Sequence, residues 1–264
     1  MPPTHASAIA PLAPADTIVY AEAQGAGVGL QNFISRLRTI PDVATAFQML
    51  DGMGGAGQLI GWIDDAGIIV VKGQQAPSGG LALVTADDAT ATDRVKTLTG
   101  LIGFAGLGGN SVQSRQSTIA DVTVTTITLS NLSALVPPGQ LPPGVNIPSD
   151  AKVEFSIAAK GKVILIGTGE DFMTAVLNTQ PGSSLADQAT YKQATSRALA
   201  NSRTSAYVAI NDIVDLAETF LSEEEKAAYK EAEPYIEPFQ ALSITSIEDA
   251  SGGHQRLTIT VSQP

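Results

Sequence analysis

Asp16–Leu37 reads DTIVYAEAQGAGVGLQNFISRL, and Thr204–Leu221 reads TSAYVAINDIVDLAETFL. Each begins with small polar residues, continues as an alternating strand that contains a tyrosine (Tyr20, Tyr207), and passes into an amphipathic helix. In the first, Leu30, Phe33, Ile34 and Leu37 fall at i, i+3, i+4 and i+7; in the second, Ile213, Leu216, Ala217 and Phe220 do the same. That spacing puts the four apolar side chains on one helical stripe. A striped helix and a sheet with one apolar face are complementary, so a repeated strand–helix unit widens a sheet or builds a second one.

Working outward, the first half gives an ordered series. Thr17–Ala23 is a strand, and Pro41 opens a short second helix. Gly67–Gly73 and Gly80–Thr85 are strands around a Pro77–Gly80 turn. Asp87 or Asp88 caps a helix carrying Val95, Leu98 and Ile102, and Val122–Leu129 (VTVTTITL) alternates as a half-exposed strand. The order β-α-β-β-α-β is that of split βαβ, ferredoxin-like folds. The second half opens with a hairpin, Val153–Ala159 and Lys162–Thr168. After it come a helix over SLADQATYKQATSRAL, the strand Ser205–Asn211 with its helix, and a helix from Ser222 limited by Pro234. A hairpin of Leu242–Glu248 and Gln255–Val261 closes the chain. The expected fold is α+β: a two-layer sandwich with an antiparallel-dominated sheet, helices mainly on one face, and two related halves. Residues 1–15 read as a flexible N-terminal tether, 16–135 as the first half and 149–264 as the second. Between the halves, 136–148 is a connector in which five of thirteen residues are proline.

Composition narrows the function classes. The 264 residues are 44% hydrophobic but only 16% charged and 5% aromatic, which implies an aliphatic core and a surface finished with Thr, Ser, Gln and Asn. A net charge of −11 without basic runs argues against nucleic acid and anionic membrane surfaces as partners. The absence of cysteine removes disulfides, thiolate metal sites and a cysteine nucleophile. No stretch is long and apolar enough to span a membrane, and the opening residues lack the basic and apolar regions of a signal peptide.

Chemistry-bearing motifs are sparse. His5 and His254 are the only histidines, and neither has an acid or nucleophile placed by local spacing, so both are expected to be solvated. DGMGGAGQLIG lacks the Lys-Ser/Thr of a phosphate loop and reads as a turn. The paired acids Asp64–Asp65, Asp87–Asp88, Glu170–Asp171 and Glu248–Asp249 lack the alternating oxygens of a calcium loop. No metal, cofactor or catalytic residue is expected, and the chain is read as non-enzymatic. Its partner is an unidentified protein or an apolar small molecule; the sequence does not set the oligomeric state. A carrier of lipid or another apolar molecule would hold it in a cavity between sheet and helices. Adaptable Met49 and Met53, with Leu59, Ile60 and the sole tryptophan, Trp62, are the candidate lining around the glycine run.

LAPADTIVYAEAQ, AAKGKVILIGTGEDF, SLADQATYKQA and SAYVAINDIVDL together resemble the bacterial domain of unknown function 3352, over most of the chain from Leu12. The resemblance implies a cell-envelope protein working outside the cytoplasm, with an anchoring segment N-terminal to this sequence. It brings no activity and no functional residues.

Overall fold

The computed structural model describes residues 4–38, 60–73, 76–105, 112–130, 148, 151–249 and 252–262. The expected helix at Pro41, the glycine run 51–57 and the connector 136–147 lie outside them. Ten strands form one sheet: β1 Thr17–Ala23, β2 Ala66–Val71, β3 Ser78–Val84, β4 Val112–Ile119, β5 Val122–Ser130, β6 Lys152–Lys160, β7 Val163–Gly167, β8 Thr204–Ala209, β9 Phe239–Asp249 and β10 Gly252–Val261. The described helices are α1 Ala26–Leu37, α2 Asp88–Ala105, α3 Gly169–Leu177, α4 Ala189–Thr195, α5 Ile210–Glu218 and α6 Glu223–Ile236. The fold is α+β with an antiparallel sheet, as the periodicities predict.

Strand order is β10-β9-β8-β1-β2-β3-β7-β6-β5-β4. The order differs from the split βαβ arrangement, because β1 pairs directly and antiparallel with β2 and leaves no slot between them. Strands from the two halves interleave: β1 lies against β8, and β3 against β7. The two matching strand–helix units are therefore sheet neighbours, with Tyr20 directly opposite Tyr207. Both tyrosine rings meet Tyr191 of α4 edge-to-face, at centroid distances of 6.0 and 5.2 Å.

Side-chain alternation divides the sheet into two faces. On the first, Tyr20, Ile69, Val71, Ala82, Val84, Val163 and Leu165 pack under α3, α4 and the N-terminal segment. On the second, Ile127, Ile157 and Ile164 pack with Ala91 of α2 in a smaller cluster. Helix α3 is seated by a hole in the sheet. Gly80 and Gly167 are cross-strand partners, and a Cβ on either would run into the fully buried Phe172 ring.

Four differences from the sequence reading have physical causes. Residues 4–15 do not stand off as a tether: Ile9 and Ala13 are fully buried in the main core. The middle of β5 is buried on both faces rather than half-exposed, because Val124 belongs to the core under α3 and Ile127 to the cluster under α2. Its buried Thr126 hydroxyl is satisfied by Ser156 Oγ at 2.8 Å. SLADQATYKQATSRAL is not one helix. Ser184 and Asp187 form a capping box around a 3₁₀ turn, Leu185–Asp187, and an extended Gln188 separates it from α4. Finally, β4 is an edge strand whose interior, Gln113–Thr118, is all polar, so no apolar alternation reveals it.

The helices differ in how firmly they are held. Only Gly27 of α1 is buried, no residue of α5 is, and none of the described side chains of α6 is. The Ser222–Glu225 capping box opens α6 as expected, but Pro234 lies inside its last turn. Lys72 tethers α5 through Asp215 at 3.3 Å and Asp212 at 3.8 Å; such part-exposed pairs are worth well under about 1 kcal/mol each.

Candidate functional site: an aliphatic sheet face beside a cleft at the strand ends

On the second face, the registers set side chains in straight rows across the strands. One row runs Leu257, Ile244, Ala206, Ala21, Ile68, Leu81 and on to Ile166. The next, two residues further along each strand, runs Ile259, Leu242, Val208, Val19 and Val70. Every member is aliphatic. Yet Leu257 is 59% exposed, Ile259 48%, Ile68 47%, Leu81 45% and Ile244 36%. Large contiguous apolar surface of this kind marks an interaction site. The six strands from β10 to β3 make this floor about 24 Å across at about 4.8 Å per strand. At its centre the small Ala21 and Ala206 lie between Ile68 and Ile244, so the floor dips where β1 meets β8.

The same face changes character in the opposite direction along the strands. Two residues before the first aliphatic row lie Gln255, Ser246, Thr204 and Ala23, again in register. Here Val28, Gly29 and Asn32 of α1, with the ends of these strands, line a cleft of about 510 Å³. Arg203 and His254 also line it. Gly29 has open space where a side chain would project.

Of the sequence-derived lining residues, Met49, Met53 and Leu59 lie outside the described residues. Ile60 and Trp62 are both half-buried. Trp62 packs against the second-face cluster, which also takes in Leu83 and Ile166, and the Arg94 guanidinium sits 6.0 Å from its ring centroid. It therefore adjoins the far end of the first aliphatic row. The strand residues that make the floor were not among the predicted lining. One signal was there: GIIVV in β2 is an unbroken apolar run, the mark of a strand with two apolar faces.

A second group of polar residues lies under the N-terminal segment on the first face. His5 stays 45% exposed, as expected of a solvated histidine, but it also has a partner that spacing did not show: its Nε2 lies 2.7 Å from Oδ2 of Asp65, which is 1% exposed. The Gly25 N–H donates to the other Asp65 oxygen at 2.9 Å. The Tyr20 hydroxyl donates to Glu22 Oε2 at 2.6 Å and meets Ser7 Oγ at 3.1 Å. Ser7 Oγ accepts the N–H groups of Ile9 and Ala10, so it caps the local turn. These contacts pin residues 4–10 to β1. Sequence spacing could not show a pairing sixty residues apart.

Glu22 is buried, and its Oε1 has no hydrogen-bond partner among the described residues. Burial pushes its carboxyl above the usual range, against the opposing hydrogen bond from Tyr20; Asp65 adds to the rise and His5 opposes it. Burial, then Glu22, pushes the Tyr20 phenol up strongly, while Tyr191 and Tyr207 rise to about 12 chiefly by burial. A carboxyl raised in the folded state contributes stability below its unfolded value near 4.3 and loses it as pH rises through the folded value. Replacement Glu22→Gln should therefore stabilise the protein at pH 7 by about 1 kcal/mol. Urea melts between pH 4 and 8 should show the wild type losing stability relative to the variant as pH rises. An unchanged difference across that window would show that Glu22 is not strained by burial.

The family model described as "Protein of unknown function (DUF3352)" matches residues 4–262. The chain belongs to this family. No curated protein matches the DUF3352 chain. Solved chains described as crystal forms IV, III and I of TP0453 are similar to it at TM-scores of 0.40, 0.39 and 0.39 and identities of 10%, 11% and 10%. They cover 95%, 97% and 98% of this chain and 79%, 80% and 81% of those chains. Among the described residues, no group of three or more His, Asp or Glu side chains could hold a metal ion, and no helix is long and apolar enough to cross a membrane.

Proposed function

We propose that this chain is a non-enzymatic binding module working outside the cytoplasm, and that it carries an apolar small molecule on the second face of its sheet. The observation behind the reading is the pair of aliphatic rows on that face, of which Leu257, Ile259, Ile68, Leu81 and Ile244 are exposed and among the described residues lack full cover. Burying them against an apolar ligand at about 25 cal/mol per Å² is a sufficient driving force for binding. The weakly held α1 and α5 suit elements that shift to admit it. The location rests on the family resemblance.

The neutral dye N-phenyl-1-naphthylamine should bind with a rise in emission. Saturation with it should shift the emission of Trp62, the only tryptophan, which adjoins the Leu81–Ile166 end of the floor. Organic extraction of protein purified from its natural host should release an apolar molecule. No dye uptake and an empty extract would overturn the carrier reading and leave the face as a docking surface for a protein partner.

A further inference from the structure

Residues 4–15 cross the first face in two parts that are held differently. Ala13 and Ala15 bond backbone to backbone with Leu185 and Ser183, which anchors the chain there. Residues 4–10 are held through side chains. Gln24 brackets His5: its Oε1 accepts the His5 N–H at 3.1 Å, and its Nε2 donates to the His5 carbonyl at 2.6 Å. His5 Nε2 sits on Asp65, and Ser7 Oγ meets the Tyr20 hydroxyl and the Glu22 carboxyl. Ile9 then lies on Gly67, where an added Cβ would stand 2.9 Å from Ile9 Cδ1. Gly67 is the cross-strand partner of Glu22, which is 5% exposed. The segment therefore covers Glu22 and keeps water from it.

A buried carboxyl with one oxygen unbonded tolerates its proton far better than a charge. The titratable groups around Glu22 are Tyr20 on β1, Tyr191 on α4, Asp65 ahead of β2 and His5 on the segment itself. Both phenols keep their protons well above neutral pH. Asp65 disfavours a second negative charge, and His5 favours one only while it is protonated. The same His5 proton strengthens the contact with Asp65, since a charge-assisted bond is about twice as strong as a neutral one. We propose that residues 4–10 are a strap released as pH rises: seated while Glu22 and His5 are protonated, and lifted from β1, with Ala13 as the fixed end, once both have lost their protons. Lifting gives up the burial of Ile9 and returns the Glu22 carboxylate to water. The sign follows from the cover. A carboxyl whose affinity for its proton the cover raises favours the seated state below the ordinary carboxylate range, and loses that preference as pH rises through the raised value. The strap lies on the face opposite the aliphatic rows, so this inference does not rest on the carrier reading.

The test is hydrogen exchange of the full chain at pH about 5 and about 8, each rate divided by that of the unfolded peptide at the same pH. The Ile9 and Ala10 amides, which donate to Ser7 Oγ, report the strap; those of β7 report the core. Wild-type protection at Ile9 and Ala10 should fall about tenfold or more from the lower pH to the higher, while β7 keeps its own. Glu22→Gln keeps the shape and removes the titration, so in that variant the fall should shrink to less than about threefold. Equal strap protection at both pH values in the wild type would overturn the inference. So would a fall that β7 shares, which is destabilisation of the whole fold, or one that Glu22→Gln leaves unchanged. The wild-type comparison of strap with β7 decides the matter even if the variant does not fold.

Discussion

Replacing Phe172 with alanine is expected to cost about 3–5 kcal/mol, enough to leave a protein of ordinary stability largely unfolded near its working temperature. The ring is fully buried and fills the hole formed by the Gly80–Gly167 pair. Its removal leaves the glycines facing a cavity that their missing side chains cannot fill. The converse substitution, Gly167→Ala, should also destabilise, by about 1–3 kcal/mol, because the new methyl collides with Phe172 and the well-packed α3 has little room to retreat. Chemical denaturation measures both. The two losses should not add: in Gly167→Ala/Phe172→Ala the methyl enters space the ring has left, so the double variant should be more stable than the sum predicts. Strict additivity would show that ring and glycine pair do not share one site.

Ile68→Glu and Ile244→Glu are each expected to weaken binding of N-phenyl-1-naphthylamine at least tenfold while changing folding stability by no more than about 0.5 kcal/mol. Both side chains belong to the aliphatic row that contains Ala21 and Ala206, and both are already substantially exposed. A glutamate there is solvated in the free protein, so folding is indifferent to it. On binding, the charge must be desolvated against an apolar ligand. The expected result is thus a separation of binding from stability, read by dye titration beside urea melts. A loss of several kcal/mol in stability would show that this face is covered by the protein itself. Unchanged dye affinity in both variants would place the apolar site elsewhere.

Local pattern was enough to find most of the elements. Thr17–Ala23 is a strand with those bounds, and the apolar stripes of Leu30–Leu37 and Ile213–Phe220 fall in α1 and α5 or at the end of α5. Asp87 receives the Thr90 N–H at 2.7 Å, as a cap should, and Ser222–Glu225 closes its box. These features depend on residues within a few positions of one another, so the sequence states them directly. β4 escaped because only its end residues Val112 and Ile119 are apolar, and the polar stretch between them needs no burial at a sheet edge.

The hairpins β2–β3 and β9–β10 are legible in the sequence; what the chain alone could not state is which distant strands become neighbours. The long-range relations are β1 to β8 and β3 to β7, with His5 to Asp65 on the other face. Each depends on burial and hydrogen bonding gathered from the whole sheet. The N-terminal segment looked like a tether because its Pro, Ala and Ser content favours no regular element, yet three small contributions fix it: buried Ile9, the Ser7 turn and the His5–Asp65 pair. Trp62 drew attention from the sequence as a large lone side chain, whereas Ala21 and Ala206 drew none. Periodicity determined that strands with apolar faces would exist. Only the antiparallel registers decided that aliphatic side chains from six strands would line up on one face, exposed among the described residues, with Gln255, Ser246 and Thr204 at one end, because those registers set which side chains share a row.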